Sequence, residues 1–135
     1  MGFESFLPQT MENGHGKGNV LVVDDEQGWR DLLAMELVPS GFRATTASSG
    51  PEALEILKRE SFDLIISDIQ MAGGMDGIDF IEHQRRNKPD QKVIFITGYA
   101  LEEKLNTALQ NPLSICLRKP FEMDQLFETI SKFLP

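Results

Sequence analysis

The amino-acid sequence predicts an α/β fold, a three-layer α/β/α sandwich in which helices cover both faces of a parallel sheet. Beyond residue 18, five short strand-like runs alternate with segments of helical periodicity, which is the pattern of βαβ units. Most of these runs are continuously apolar, as is typical of strands buried on both faces. Right-handed crossovers between successive parallel strands then place helices on both sides of the sheet.

The predicted strands differ in polarity. They comprise residues 20–23, 43–47, 64–66, 93–96 and 115–117. The second run is more polar than the others, so it is suited to an edge of the sheet.

Each predicted helix is defined by apolar residues at helical spacing. These residues are Trp29, Leu32, Leu33 and Leu37 in the first helix, Ala53, Leu54 and Leu57 in the second, Ile78 and Ile81 in the third, Leu101, Leu105, Ala108 and Leu109 in the fourth, and Met123, Leu126, Phe127 and Ile130 in the fifth. Pro39 and Gly41 end the first helix. Ser49 and Glu52 are predicted to form a capping box, with Pro51 at the first helical position.

The length and composition indicate one domain of ordinary size. Residues 1–18 are rich in glycine and polar residues and are predicted to be a flexible leader, and residues 19–135 form the domain. Cys116 is the single cysteine, which excludes an internal disulfide. The sequence contains neither a signal peptide nor an apolar stretch long enough to span a bilayer. We therefore expect a cytoplasmic protein with no membrane association.

The net charge of -8 argues against a nucleic-acid surface, because phosphate binding depends on clustered lysine and arginine. Arg85, Arg86 and Lys88 are the one basic cluster, and we interpret them as a solvated helix end. An acidic balance is compatible with binding a metal cation or a basic partner.

Polar side chains follow four of the predicted strands. Asp24 and Asp25 follow the first, Asp68 the third, Thr97 the fourth and Lys119 the fifth. Because the carboxyl ends of parallel strands share one edge, where ligands bind in open α/β sheets, we expect these residues to converge.

The negative charges of clustered carboxylates repel one another and must be compensated by a positive charge. Two carboxylates about 4 Å apart repel by roughly 4 kcal/mol at an effective dielectric constant of about 20. Mg²⁺ prefers such oxygen ligands, so the cluster predicts a magnesium site. Each residue also has a structural alternative: Asp24 and Asp25 as the cap of the first helix, Thr97 as a strand-end hydroxyl, and Lys119 as a solvated charge. The combination of all of them favours the functional interpretation.

Four motifs in this order resemble the receiver domain of two-component response regulators: VLVVDDE, IISDIQMAGGMDG, VIFITGYA and LRKPF. The resemblance extends over residues 20–134. It implies a flavodoxin-like (βα)5 fold with strand order 2-1-3-4-5. Residues 19–135 would then be a receiver domain.

The resemblance also implies a function. Asp68 would accept a phosphoryl group from a sensor histidine kinase or a histidine phosphotransfer protein in a Mg²⁺-dependent phosphorelay reaction. The implied metal ligands are Asp24, Asp25, Asp68 and the backbone carbonyl of Gln70. Lys119 and Thr97 would contact phosphoryl oxygens. The domain would act as a phosphorylation switch for protein contacts, with an output that the sequence does not reveal, rather than as an enzyme.

Further positions take their expected roles from the family. Gln70 and Tyr99 flank the phosphoryl group and tune its lifetime, in opposing directions. The bond before Pro120 is cis in the family and would aim Lys119 at the site. Cys116 occupies a position that is commonly aromatic and that turns inward with Thr97, so the usual coupling is not expected here.

The turn after Asp68 departs from the family pattern. Ala72 replaces a proline, and Gly73 and Gly74 lengthen the turn by one residue. Two glycines remove steric limits on the backbone, so this loop is predicted to be mobile and to become ordered when Mg²⁺ or a phosphoryl group binds.

Two other functions are compatible with the same residues. One is a Mg²⁺-dependent phosphatase with Asp68 as nucleophile, although Gln70 stands where such enzymes typically carry an acid. The other is a receiver-like binding module that is never phosphorylated, which the complete set of site residues disfavours. Asp76 is assigned only as the cap of the third helix.

Overall fold

The computed structural model describes residues 16–98 and 102–135 of the chain. Strands and helices alternate strictly along it. The strands are β1 (Gly18–Val23), β2 (Phe42–Ala47), β3 (Leu64–Asp68), β4 (Val93–Thr97) and β5 (Ser114–Arg118). The helices are α1 (Gln27–Leu37), α2 (Gly50–Leu57), α3 (Gly77–Asn87), α4 (Glu102–Ala108) and α5 (Met123–Ser131).

The five strands form one parallel sheet in the order β2-β1-β3-β4-β5. This confirms the predicted fold class and strand order. The more polar strand, β2, lies at an edge, as its composition predicts. The chain order reverses between β1 and β3, and a ligand crevice is expected beside this point at the carboxyl ends of the strands.

Side chains of the central strands alternate between two hydrophobic layers. Val20 and Val22 point to the face covered by α1 and α5. Leu21 and Val23 point to the opposite face, which α2, α3 and α4 cover. A continuous apolar run is needed because both faces of β1 are buried, and this burial is the main favourable term holding the layers together.

In two helices, the buried residues are not the same as the apolar residues whose spacing predicted the helix. In α1, Leu32 is 38% exposed, and Ala34 is buried beside Leu33 and Leu37 instead. Leu32 precedes Leu37 by five residues, which places it roughly 140° away around the helix axis. In α2, Ala53 and Ile56 are buried, whereas Leu54 and Leu57 are only partly buried.

The helix caps are mostly those that were predicted. The Ser49 hydroxyl accepts a hydrogen bond from the Glu52 N–H, but the Glu52 carboxylate accepts from Ser48 rather than from Ser49. Because α2 begins at Gly50, Pro51 is its second residue and not its first. Asp76 caps α3 as predicted, in a reciprocal capping box with Asp79.

Arg85 is not part of a solvated helix end, which corrects the interpretation of the basic cluster. Its half-buried guanidinium donates to the carbonyl oxygens of Gln91 and Leu113 and to the Ser114 hydroxyl. The Lys88 ammonium donates to the carbonyl oxygen of Phe62. These contacts join the end of α3 to the starts of β4 and β5, so part of the basic cluster stabilises the end of the sheet opposite the predicted site.

None of the helices in the described part of the chain has both the length and the apolar character needed to cross a bilayer.

Candidate functional site

The predicted site residues converge at the carboxyl edge of the sheet. Asp68 is the last residue of β3 and Thr97 the last of β4, while Asp24 directly follows β1. Lys119 follows β5, and its N–H donates to the Thr97 carbonyl oxygen at 2.8 Å, which continues the sheet pairing by one residue. Asp25 follows Asp24 and is exposed at the same edge. The strand ends therefore bring together residues that lie far apart in sequence.

These strand ends surround a cavity of about 470 Å³. Its lining residues are Asp25, Glu26, Asp68, Gln70, Gly98 and Lys119. A larger groove, of about 690 Å³, lies between α3 and α4 and shares none of these residues. The groove lacks clustered carboxylates, so we assign the chemistry to the smaller cavity.

Asp24, Asp25 and Asp68 form a cluster that fits a metal ion. One carboxylate oxygen from each lies within 4.8 Å of the other two. Asp24 is almost completely buried, and its Oδ2 makes no hydrogen bond to any described residue. The Lys119 ammonium lies 3.9 Å from this oxygen. A buried carboxylate oxygen without a hydrogen bond is costly, and a small hard cation such as Mg²⁺ would satisfy it.

The electrostatics of the cluster support the same conclusion. Burial, and next the charge of Asp24, raise the pKa of Asp68 to about 6, although Lys119 partly opposes them. Burial also raises the pKa of Asp24, against the hydrogen bond from the Glu26 N–H and the charge of Lys119. Both shifts show that the ionised carboxylates are under-compensated by the protein alone.

Asp24 does not cap α1, which corrects one of the predicted structural roles. Its Oδ1 accepts a hydrogen bond from the Glu26 N–H at 2.9 Å, within the turn that precedes the helix. Glu26 is the N-cap residue, and its side chain makes no capping hydrogen bond. The carbonyl oxygen of Asp24 accepts from the Arg30 guanidinium at 2.7 Å, so α1 holds this turn by another contact.

The remaining predicted site residues differ in burial and in their distance from the cavity. Thr97 is buried at the end of β4, whereas Gln70 is exposed at the cavity. Cys116 is half-buried in β5 opposite Phe95 of β4, and burial raises the pKa of its thiol. The peptide bond between Lys119 and Pro120 is cis. Tyr99 lies outside the described residues.

The turn after Asp68 contacts the acidic cluster directly. The Ala72 N–H donates to Asp25 Oδ2 at 3.0 Å. Gly73 and Gly74 follow in left-handed conformations, with φ of 95° and 84°, which only glycine adopts without strain. The departure from the family pattern therefore brings a backbone donor to one of the candidate metal ligands.

We predict that amide hydrogen exchange across residues 70–77 slows when Mg²⁺ and beryllofluoride, a phosphoryl mimic, are added together. The reason is that a bound cation fixes Asp25, and Asp25 holds the Ala72 N–H. Exchange can be measured by mass spectrometry of short peptides, with residues 20–23 of the buried β1 as an internal reference. Equal exchange of 70–77 with and without both additives would contradict this prediction.

Sequence reasoning missed two residues at the site. Trp29 of α1 lies beneath Lys119, with the ring centroid 5.0 Å from the ammonium nitrogen. Gly77 packs against the backbone of Asp68 and Ile69. The periodicity that identified Trp29 as a helix residue indicated only that it is apolar, and a glycine beside a capping Asp76 suggested only a helix start. Both contacts depend on how α1 and α3 are placed against the sheet.

The sequence and the fold are similar to those of known proteins. Residues 20–131 match the response regulator receiver domain family. The transcriptional regulatory protein GlrR of Escherichia coli (strain K12) is 34% identical over 120 residues, which cover 89% of this chain and 27% of that protein. Sporulation initiation phosphotransferase F of Bacillus subtilis (strain 168) is 29% identical over 116 residues, covering 86% of this chain and 93% of that protein.

A solved structure agrees with these relatives. The response regulator protein TrrA of Thermotoga maritima, in complex with Mg²⁺-BeF, superposes with a TM-score of 0.74 at 35% identity, covering 86% of this chain and 98% of that one. The chain spans about a quarter of the length of the transcriptional regulators that it matches. The converging strand ends, the sheet order and these similarities together establish that the chain belongs to the response regulator receiver domain family.

Proposed function

We propose that Asp68 is the phosphoacceptor of this receiver domain and that the cavity at the carboxyl edge of the sheet is its phosphorylation site. The observation that carries the proposal is the grouping of Asp68 with Asp25 and Lys119 around one cavity, with the buried Asp24 carboxylate beside them. This grouping supplies a nucleophile, candidate metal ligands and a cation in one place. The domain proper would comprise residues 19–135.

One oxygen of the Asp68 carboxylate would make the nucleophilic attack. Its Oδ1 accepts a hydrogen bond from the Ile69 N–H at 3.0 Å, and no hydrogen bond from a described residue engages Oδ2. In the proposed step, Oδ2 forms a bond to the phosphorus of a phosphohistidine on a histidine kinase or phosphotransfer protein. The phosphorus–nitrogen bond breaks, and its electron pair returns to the imidazole. The product is an acyl phosphate on Asp68.

The other residues would position and neutralise the phosphoryl group. Asp24, Asp25 and the backbone carbonyl of Gln70 would hold Mg²⁺ beside Asp68, and the bound ion would offset the charge on the phosphoryl oxygens. Lys119 would pair with a second phosphoryl oxygen, and the Thr97 hydroxyl would bind a third. These assignments would give Asp25, Asp68 and Lys119, three of the four charged residues that line the cavity, a role that phosphoryl transfer requires.

Phosphorylation is proposed to change which proteins the domain binds. Phosphorylation would shift the domain between two populated states, because the added charge is bound differently in each. Cys116 is too small to make the ring movement of an aromatic residue at its position, so the shift would involve other parts of α4 and β5. Gln70 and Tyr99 would adjust how quickly water removes the phosphoryl group.

The proposal is tested by incubating the protein with Mg²⁺ and a small phosphodonor and measuring its intact mass. We expect one added phosphoryl group that is stable in acid and lost in base, as an acyl phosphate is. Asp68→Asn should abolish the label. Asp90→Asn is the matched control, because Asp90 is exposed in the turn before β4 and should leave labelling unchanged.

Other outcomes would change the assignment. Equal labelling of Asp68→Asn and the unaltered protein would place the phosphoryl group elsewhere. Steady turnover of many phosphate esters would indicate the Mg²⁺-dependent phosphatase. The absence of any label with several donors would indicate a receiver-like binding module.

A further inference from the structure

We propose that Trp29 is a positioning residue for Lys119: its indole face holds the ammonium at the site and away from the carboxylates until a phosphoryl group arrives. This inference rests on the proposed function, because it concerns the cation of the same site. The motifs that carry the family resemblance do not include Trp29.

The surroundings of the Lys119 ammonium point to the indole as its main support. The nitrogen lies 5.0 Å from the Trp29 ring centroid, within the range of a cation–π contact. Its distance to Asp24 Oδ2, 3.9 Å, is beyond hydrogen-bonding length. No hydrogen bond from this ammonium to a described residue is present. The ammonium is therefore held between a π face and a distant carboxylate rather than by a short ion pair.

The indole ring is itself fixed by packing. Trp29 meets the Phe121 ring edge to face, with centroids 5.5 Å apart and planes at 78°. Its Nε1 is buried and forms no hydrogen bond within the described segments. Phe121 follows Lys119 by two residues, so the segment that carries the ammonium also carries the ring that orients Trp29. The ring contact therefore links α1 to the segment that follows β5.

This placement has a consequence for the reaction. Without the indole, the ammonium would be free to close on Asp24, where a direct ion pair would compete with a metal ion for the same oxygen. With the indole, Lys119 stays near the cavity but keeps its N–H donors available to phosphoryl oxygens. A cation–π contact is weak enough to be exchanged for a charge-assisted hydrogen bond when the phosphoryl group enters.

The contact can be tested without any phosphorylation, because Trp29 is the single tryptophan of the chain. We expect Lys119→Met to change the intensity and the emission maximum of tryptophan fluorescence in the presence of EDTA. In the unaltered protein, Mg²⁺ with beryllofluoride should also change the emission as the ammonium leaves the ring. In Lys119→Met this second change should be largely lost.

The positioning role is tested by the rate of labelling with a small phosphodonor at saturating Mg²⁺. We expect Trp29→Leu to slow labelling by about fivefold and to raise the Mg²⁺ concentration needed for half-maximal rate. Trp29→Phe keeps a π face and should restore most of the rate. If Trp29 only packed against Phe121, both substitutions would lower stability, and Trp29→Phe would not be labelled faster than Trp29→Leu. Leu32→Ala, an exposed position on the same helix, is the control and should label normally.

Thermal unfolding of each variant separates misfolding from loss of positioning, because rates are compared only at temperatures where the variants are folded. Unchanged fluorescence in Lys119→Met, or equal labelling rates for the unaltered protein and Trp29→Leu, would overturn the inference while leaving Asp68 as phosphoacceptor. Failure of the unaltered protein to be labelled would overturn the proposed function, and this inference with it.

Discussion

Replacing Gly77 with alanine is expected to lower the free energy of unfolding by about 1–3 kcal/mol, since overpacking typically costs about this much. A Cβ at this position would collide with the carbonyl oxygen of Asp68, and it would lie 3.0 Å from the Cα of Ile69. Both neighbours are backbone atoms at the end of a buried strand, so neither can move aside as a flexible side chain would. The Gly77 N–H also donates to the Ile69 carbonyl oxygen at 2.8 Å, which fixes the close approach.

The same substitution should impair phosphorylation beyond its effect on stability. Relieving the collision requires the backbone of Asp68 to shift, and a small displacement of a nucleophile reduces rates strongly. Unfolding by urea and labelling by a small phosphodonor would measure the two effects. Gly28→Ala in α1 is the control, because a Cβ there would meet no described atom within 4 Å beyond its own stretch of helix, and it should change stability by less than about 1 kcal/mol. Equal stabilities of the two variants would contradict the prediction.

Replacing Asp68 with asparagine is expected to stabilise the metal-free protein by about 2 kcal/mol at pH 7.5. Burial and the neighbouring charge of Asp24 raise the pKa of Asp68 to about 6. One pKa unit corresponds to about 1.4 kcal/mol, and solvent at the rim of the site screens part of the total. The carboxylate therefore destabilises the folded state when it is ionised, and an amide of the same shape removes this cost.

The pH dependence follows from the direction of the shift. The folded protein holds the Asp68 proton more tightly than the unfolded chain, so this group costs nothing below pH 3.8, the ordinary value. The destabilisation develops as the pH rises from there through about 6, and it is complete above that. Asp24 contributes in the same direction, because burial raises its pKa as well. Saturating Mg²⁺ should abolish the cost at pH 7.5 by compensating the ionised carboxylates.

Urea unfolding in EDTA at pH 5 and pH 7.5 would measure this effect. We expect the advantage of Asp68→Asn over the unaltered protein to be larger at pH 7.5 than at pH 5 and to shrink in Mg²⁺. Asp90→Asn, which changes an exposed carboxylate, should show no such pattern. An advantage that does not depend on pH would show that the acidic cluster is not electrostatically strained.

The sheet and the edge that carries the candidate site could be predicted from the sequence because both depend on short-range patterns. A continuous apolar run such as 20–23 is compatible with a strand covered on both faces, and the residue after it must then lie at the sheet edge. Asp24, Asp68 and Thr97 were assigned to one edge on this basis, and the strand order came from the family resemblance. Burial within helices was less predictable, as the exposure of Leu32 illustrates, because the spacing of apolar residues does not fix how far around the helix the contact with the sheet extends.

By itself, the sequence determined the α/β class, the residues at the carboxyl edge and the chemistry that they favour. Only the tertiary structure decided that Trp29 supports Lys119, that Gly77 must lack a Cβ beside Asp68, and that Arg85 joins α3 to the starts of β4 and β5. The physical reason is the separation along the chain of the residues that interact. Secondary structure follows from the spacing of neighbouring residues, whereas these contacts depend on how the helices are packed against the sheet, and no local pattern encodes those distances.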